Sequence, residues 1–235
     1  MKNFITVLAV TLSLTATAQM FIPKAGLTLS TVNFEIESSG SGYDESINSA
    51  TGFAVGVGYS FGLGSMFSIQ PELLFIQKGW NYNETYDDGG SYSYEYDETA
   101  HLNYIELPVL FKVSLGPDNL KFHINAGPSV GFGIGGKFKE KYNEDYFGDP
   151  YSYSEDVKIK FGDMPDNYDG TDYYIDNSID FGLQIGGGVT IAEKIIIDIR
   201  YGLGLSDLFD EADGSGESRN RVLQFTVGVP IRLGL

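Results

Sequence analysis

The stretch that decides the fold is Arg221-Val222-Leu223-Gln224-Phe225-Thr226-Val227-Gly228-Val229-Pro230-Ile231-Arg232-Leu233-Gly234-Leu235. From Leu223 onward every odd position is apolar, while the even positions hold Gln224, Thr226, Gly228, Pro230, Arg232 and Gly234. A period of two puts alternate side chains on opposite faces of a strand. A helix would mix the two sets at every turn. Such a strand, apolar on one face only, requires partners.

Working back along the chain, seven more runs show the same alternation. They carry Ala25, Leu27 and Leu29; Phe53 to Leu63; Phe67 to Phe75; Ile105 to Leu115; Phe122 to Ile134; Ile179 to Ile191; and Ile195 to Leu205. Short turn sequences, Gly64-Ser65, Gly116-Pro117-Asp118-Asn119 and Ala192-Glu193, alternate with long polar stretches such as Asn81 to Ala100 and Lys139 to Tyr173, both read as loops. Eight strands, tight turns at one end and long loops at the other predict an all-β, antiparallel up-and-down transmembrane barrel of the outer-membrane type. The turns and both termini are expected on the periplasmic side, and the long loops outside.

The first residues agree with that address. Lys2, the apolar run Phe4 to Leu14 and Ala16-Thr17-Ala18 have the form of a secretory signal peptide, cleaved after Ala18. The run is too short for a membrane-spanning helix, which needs about 20 apolar residues. Residues 1–18 are therefore read as signal and 19–235 as one barrel domain. The chain has no cysteine, so disulfides, thiol chemistry and Cys-based zinc sites are excluded. A net charge of −17 argues against nucleic acid as a partner.

Alternation alone does not say which face is outward. A secreted lipocalin-like barrel would turn the apolar set inward around a ligand. Two features favour the apolar set facing lipid. The polar face is rich in small residues, as a narrow lumen requires. Its charges also nearly balance: Glu72, Glu106, Asp180 and Asp198 against Lys78, Lys112, Lys121, Arg200 and Arg232. The acidic excess lies in the loops instead; Asn81 to Ala100 holds Glu84, Asp87, Asp88, Glu95, Asp97 and Glu98 with no Lys or Arg. The nine charged residues form a predicted lumen network, in which Glu72 and Glu106 neutralise cations such as Lys112 and Arg200. Tyr59, Phe61, Phe67, Trp80, Tyr82, Tyr104 and Tyr201 are candidates for interfacial aromatic girdles.

Several segments resemble the PorT-like outer-membrane β-barrel family of the Bacteroidota. They are the signal ending in Ala18-Gln19, Ala25-Gly26-Leu27, Gln70-Pro71-Glu72-Leu73-Leu74-Phe75 with Lys78-Gly79, Tyr104-Ile105-Glu106-Leu107-Pro108-Val109-Leu110, Ala126-Gly127-Pro128 and Asp198-Ile199-Arg200-Tyr201. The resemblance implies an eight-stranded outer-membrane barrel. It brings no catalytic residues and, through one member, the alternative of an accessory subunit in protein secretion or envelope assembly.

Eight strands leave an interior just filled by side chains, which disfavours an open pore. Catalysis would need a nucleophile or water beside an oriented base. His101 has Asp97 and Glu98 nearby in sequence but no nucleophile, so no enzyme and no cofactor is expected. Asp163, Asp166, Asp169 and Asp172, and the Asp87-Asp88-Gly89-Gly90 turn, admit weak calcium binding without matching a known calcium loop. The Tyr, Asp, Gly and Ser of the loops suit a contact surface. The predicted role is structural or interactive at the cell envelope, with lipid around the barrel and a cell-surface or envelope protein as partner.

Overall fold

The computed structural model describes residues 19–33, 43–165, 167–168, 170–209 and 218–232. The strands are β1 (Gln19–Asn33), β2 (Tyr43–Gly62), β3 (Phe67–Asp87), β4 (Tyr92–Leu115), β5 (Leu120–Tyr146), β6 (Asp149–Phe161), β7 (Asp172–Ile175), β8 (Ile179–Ile191), β9 (Ile195–Asp207), β10 (Arg219–Gly228) and β11 (Ile231–Arg232). Eight of them, β1 to β5 and β8 to β10, form a closed antiparallel ring. Closure comes from β1 against β10, with Leu27 opposite Phe225 and Leu29 opposite Leu223. The period-two stretch at Leu223 is therefore the strand that shuts the barrel. Leu233 and Leu235 lie outside the described residues.

Closure removes every free edge of the ring. It also decides the facing question, and β9 shows how. Along it Ile195, Ile197 and Ile199 are exposed while Asp198 and Arg200 are buried. The same inversion holds on β8, where Phe181 and Ile185 are exposed, and Asp180 and Gln184 are buried. The apolar set faces outward around the whole ring, with Ile124 67% and Ile185 65% exposed against 2% for Arg200. A lipocalin-like interior is excluded, because the large apolar side chains it needs line the outside.

Glycines make the tight closure feasible, for the expected reason and for a second one. A Cβ at Gly26 would lie 1.9 Å from the Phe225 carbonyl oxygen, and one at Gly188 would lie 2.0 Å from that of Ile197. At these two the obstacle is the backbone of the neighbouring strand, whereas a Cβ at Gly133 would meet the Phe161 ring at 2.5 Å, so close strand approach and packing beside large interior side chains both call for glycine.

The tight turns are as read. Leu63 N–H bonds to Phe67, Leu120 N–H to Pro117, and Lys194 N–H to Ile191. Ala192 and Glu193 both take positive φ, 51° and 56°, as a two-residue hairpin turn of the primed type demands.

The other end departs from the sequence reading. Asn81 to Ala100 is not a loop; it is the upper half of a β3–β4 hairpin, paired from Asn81 opposite Thr99 to Asp87 opposite Ser93. Lys139 to Tyr146 likewise continues β5, paired to β4 and to β6. Tyrosine and β-branched residues favour strands, and each hairpin extension inherits its register from the barrel below. Polar composition suggested loops because it marks solvent, not irregular backbone. From β6 the chain returns through β7, parallel to it, and re-enters the ring.

Candidate functional site

Three layers fill the barrel from the tight-turn rim to the long-strand end. The lowest is a set of ion pairs. Arg200 on β9 reaches across to Glu72 on β3 with both Nη atoms, at 2.9 and 3.3 Å, a two-pronged arrangement. Lys24 on β1 bonds the same carboxylate at 2.6 Å and lies 3.7 Å from Asp198. His123 Nε2 and Asp198 Oδ1 are 2.6 Å apart, and Asn125 donates to the same oxygen at 3.3 Å. Higher up, Lys78 is 2.5 Å from Glu106 and 2.9 Å from Asp180, whose Oδ2 also accepts from Asn220. Gln184 joins the two groups, donating to Glu106 and accepting from Arg200 at 3.1 Å.

These positions belong to seven different strands, so only barrel closure brings them together. Of the nine residues predicted for the lumen, Glu72, Lys78, Glu106, Asp180, Asp198 and Arg200 form this interior network, and Lys112 lies buried beside it. Lys121 and Arg232 do not belong to the interior. They sit at the rim with side chains 31% and 68% exposed, and both pair with Glu193 of the β8–β9 turn; Lys121 also meets Asp118. Strand parity gave their face but not their height, and within a turn or two of the rim the lumen face is already wet. Nor is Lys112 neutralised by either glutamate: Glu72 takes Lys24 and Arg200, and Glu106 takes Lys78. Sequence reasoning missed Lys24, Gln70 and Gln184. Lys24 shares parity with Gly26 and Thr28 on β1, which was the available signal.

Above the charges lies an apolar plug. Trp80, Leu102, Tyr104, Phe138, Ile159, Ile175 and Leu208 pack into one buried cluster. Phe161 at the end of β6 meets Tyr104 edge-on at 5.4 Å, and Tyr173 of β7 stacks on Phe138 at 4.8 Å. Trp80 and Tyr104 are therefore inside, 3% and 0% exposed, and form no girdle. Their even numbers place them with Lys78 and Glu106, and parity outranks the general liking of aromatics for interfaces. The Lys78 ammonium lies 4.9 Å over the Tyr104 ring. Tyr59 and Phe61, at 4.6 Å from each other, together with Phe67, remain on the outer surface near the tight-turn end, whereas Tyr201 faces outward at mid-height, opposite Ile185, and belongs to no girdle.

The third layer is the upward continuation of the lumen face on β3 to β6. Register aligns Tyr82 with Glu98, Glu84 with Tyr96, and Tyr86 with Tyr94. It continues with Tyr96 opposite Tyr142, Tyr94 opposite Glu144, and Glu140 opposite Glu155. The result is a face of tyrosines and glutamates in contact with each other. Tyr82 and Tyr94 both donate to Glu84, Tyr142 donates to Glu144 at 2.6 Å, Tyr153 to Glu155, Tyr96 to Glu140, and the Trp80 indole to Glu98 at 2.8 Å. The hydroxyl of Tyr153 is pushed up to about 12 by its hydrogen bond to Glu155. Burial holds the Glu98 carboxyl above the usual carboxylate range. Above Lys78 no Lys or Arg stands on this face of β3 to β6, and Lys137, Lys139 and Lys141 project from the opposite one.

The acidic stretches read as calcium ligands behave differently. The Asp88 carboxylate accepts from the backbone N–H of Gly90, Ser91 and Tyr92 and from the Ser91 hydroxyl, which lowers its pKa and ties it to its own turn. Asp172 pairs with Lys160 at 2.6 Å. Asp166 and Asp169 lie outside the described residues. Among the described residues no three His, Asp or Glu side chains converge as a metal site would require. His101 Nε2 lies 3.1 Å from the Thr51 carbonyl oxygen of β2, reached past Gly79 of the intervening β3, and among the described residues it meets no nucleophile there.

The sequence model of the outer membrane protein beta-barrel domain matches residues 20–210, which is most of the chain. The chain belongs to that family. Its outer-membrane location follows, with the tight turns in the periplasm and the extended strands outside the cell. Among solved structures it is similar to Ail of Yersinia pestis, at 12% identity over 91% of this chain and 99% of that one, with a TM-score of 0.37. Neisserial surface protein A gives 10% identity, 91% and 97% coverage and a TM-score of 0.36. OprG of Pseudomonas aeruginosa gives 8%, 92% and 97%, and 0.38. No curated protein matches the sequence.

Proposed function

We propose that this outer-membrane barrel is a non-enzymatic surface protein that uses its extracellular tyrosine–glutamate face to hold a cationic partner. The observation that carries the proposal is the register of β3 to β6, which gathers carboxylates on one face, orients them through phenol hydroxyls and leaves the cations on the other. Aromatic rings bearing a polar tip give rigid contact area at low entropic cost, as in binding loops. Carboxylates between them, which among the described residues accept from phenols but meet no cation, select positive charge, and ring faces attract it further. The plug and the ion-paired lumen below supply a rigid base and oppose conduction.

The test is binding of a fluorescent lysine-rich peptide to the barrel in lipid nanodiscs. Glu84→Gln with Glu144→Gln, on the tyrosine face, weakens binding about tenfold, in the range of one or two lost charge-assisted contacts. Glu95→Gln with Asp97→Asn, which changes net charge equally on the opposite face, leaves it within about twofold, since screened surface charge acts weakly. Equal losses in the two double variants defeat the proposal.

Nearer kinship with the PorT-like barrels is supported by the two segments most specific to them, because these supply Glu72 and Glu106, two of the interior carboxylates. Removal of residues 1–18 as a signal peptide is supported by Lys2, the Phe4 to Leu14 run and Ala16-Thr17-Ala18, and by a family match that starts at residue 20. Intact mass of the protein extracted from outer membranes checks this; the expected mature form starts at Gln19, and a retained Met1 contradicts it.

A further inference from the structure

The periplasmic end of the lumen holds a cavity of about 170 Å3. Lys112 stands at its inner end, Lys121, Arg232 and Glu193 at its rim, and the hydroxyl residues Ser60 and Ser114 on its walls. Lys112 projects inward from β4 and is 7% exposed. Every other cation of the interior has a carboxylate within 3 Å: Lys24 and Arg200 on Glu72, and Lys78 on Glu106. Among the described residues Lys112 has neither ion pair nor hydrogen bond.

The surrounding charges explain why. Asp198 is shared by His123, Lys24 and Asn125, and Glu72 by Lys24, Arg200 and Gln70. Glu193 is divided between Lys121 and Arg232, and Asp118 meets Lys121. Among the described residues, the four carboxylates at this end, Glu72, Asp118, Glu193 and Asp198, are thus each already engaged by other groups. Lys112, at the inner end of the cavity, is the buried cation left without one. A buried cation without a partner is costly, and an anion entering from the periplasm removes that cost.

We propose that this cavity is an anion-binding site for a phosphate group, with the Lys112 ammonium as its principal contact and the Ser60 and Ser114 hydroxyls as further donors. A compact ammonium with hydroxyl donors suits a tetrahedral oxyanion, whereas a planar carboxylate is better matched by the fork of an arginine. Arg232 is committed to Glu193 at 2.6 Å, and that pair frames the entrance. The phosphate has two sources, a phospholipid headgroup of the inner leaflet or free phosphate in the periplasm. This site lies at the opposite end of the barrel from the tyrosine–glutamate face and stands independently of it.

The experiment uses the full barrel in a neutral, phosphate-free glucoside detergent, with inorganic phosphate as the probe and chloride at equal ionic strength as the reference. Binding is read from side-chain lysine resonances and from the urea unfolding midpoint. Phosphate shifts the Lys112 resonance and raises the midpoint of the wild type. Lys112→Met folds, since it deserts no partner, and weakens phosphate binding at least tenfold. Ser60→Ala with Ser114→Ala keeps every ion pair and weakens binding by a smaller factor. Phosphorus analysis of the protein as extracted distinguishes the sources: stoichiometric phospholipid in the wild type and its loss in Lys112→Met identify a headgroup, and its absence from both, with the phosphate response intact, identifies the free anion. Identical responses of the wild type and Lys112→Met to phosphate, or none in either, overturn the proposal.

Discussion

Replacing Glu72 with leucine lowers the barrel's unfolding free energy by about 3–5 kcal/mol, the cost of breaking a buried ion pair from one side. The size follows from what Glu72 holds. Lys24 at 2.6 Å and Arg200 at 2.9 Å have side chains only 1% and 2% exposed, so neither can turn to water when the carboxylate is removed. Lys24 retains Asp198 at 3.7 Å, whereas Arg200 retains only a neutral partner, Gln184. At the rim the same chemistry is worth little: Arg232→Gln breaks a pair with Glu193 that is 68% exposed on the arginine side, and changes stability by about 0–1 kcal/mol. Urea titration of both variants refolded into lipid vesicles makes the comparison. The double variant Glu72→Leu with Arg200→Leu should lose less than the sum of its two single changes, because each removes the charge the other strands. A Glu72→Leu midpoint no lower than that of Arg232→Gln shows that the interior network contributes nothing to stability.

Ile185→Arg is the second large effect, and it reports on the other face of the wall. Ile185 is 65% exposed and stands on β8 opposite Ala126 and Tyr201, midway between the two ends of the apolar band. A cation placed there must enter hydrocarbon, at a cost of about 2–4 kcal/mol near the bilayer midplane. Ile195 also faces outward on β9, 44% exposed, but adjoins the periplasmic turn, where the cost of Ile195→Arg falls to about 0–1 kcal/mol. Unfolding from vesicles resolves the difference. Equal costs at the two heights mean that the band does not face lipid as drawn.

Much of this protein is legible one residue at a time, because parity on a strand is a local property. The alternation in Leu223 to Ile231 fixes which side chains share a face, and Gly64, Gly116 and the Ala192-Glu193 pair mark where strands reverse. The same parity already assigned Trp80 and Tyr104 to the interior, and the aromatic-girdle reading erred by setting a general preference above it. The long strands were harder. Asn81 to Ala100 and Lys139 to Tyr146 are polar on both faces, so hydrophobic alternation, the signal that reveals a half-buried strand, is absent there. Their pairing comes from registers propagated upward from the barrel.

The sequence by itself determined the strand count of the ring, the positions of the tight turns, the two faces of each ring strand within the barrel and the balance of charge on the inner one. Only the tertiary structure decided which charges meet. Glu72 and Arg200 are 128 residues apart, and Lys78 and Asp180 are 102 apart. Their contact depends on barrel stagger, which no single strand encodes. The same stagger leaves Lys112 unmatched, sends Lys121 and Arg232 to the rim, and aligns tyrosines with glutamates above the membrane. Face is set by the two-residue repeat of the chain; height and partner are set by closing the ring.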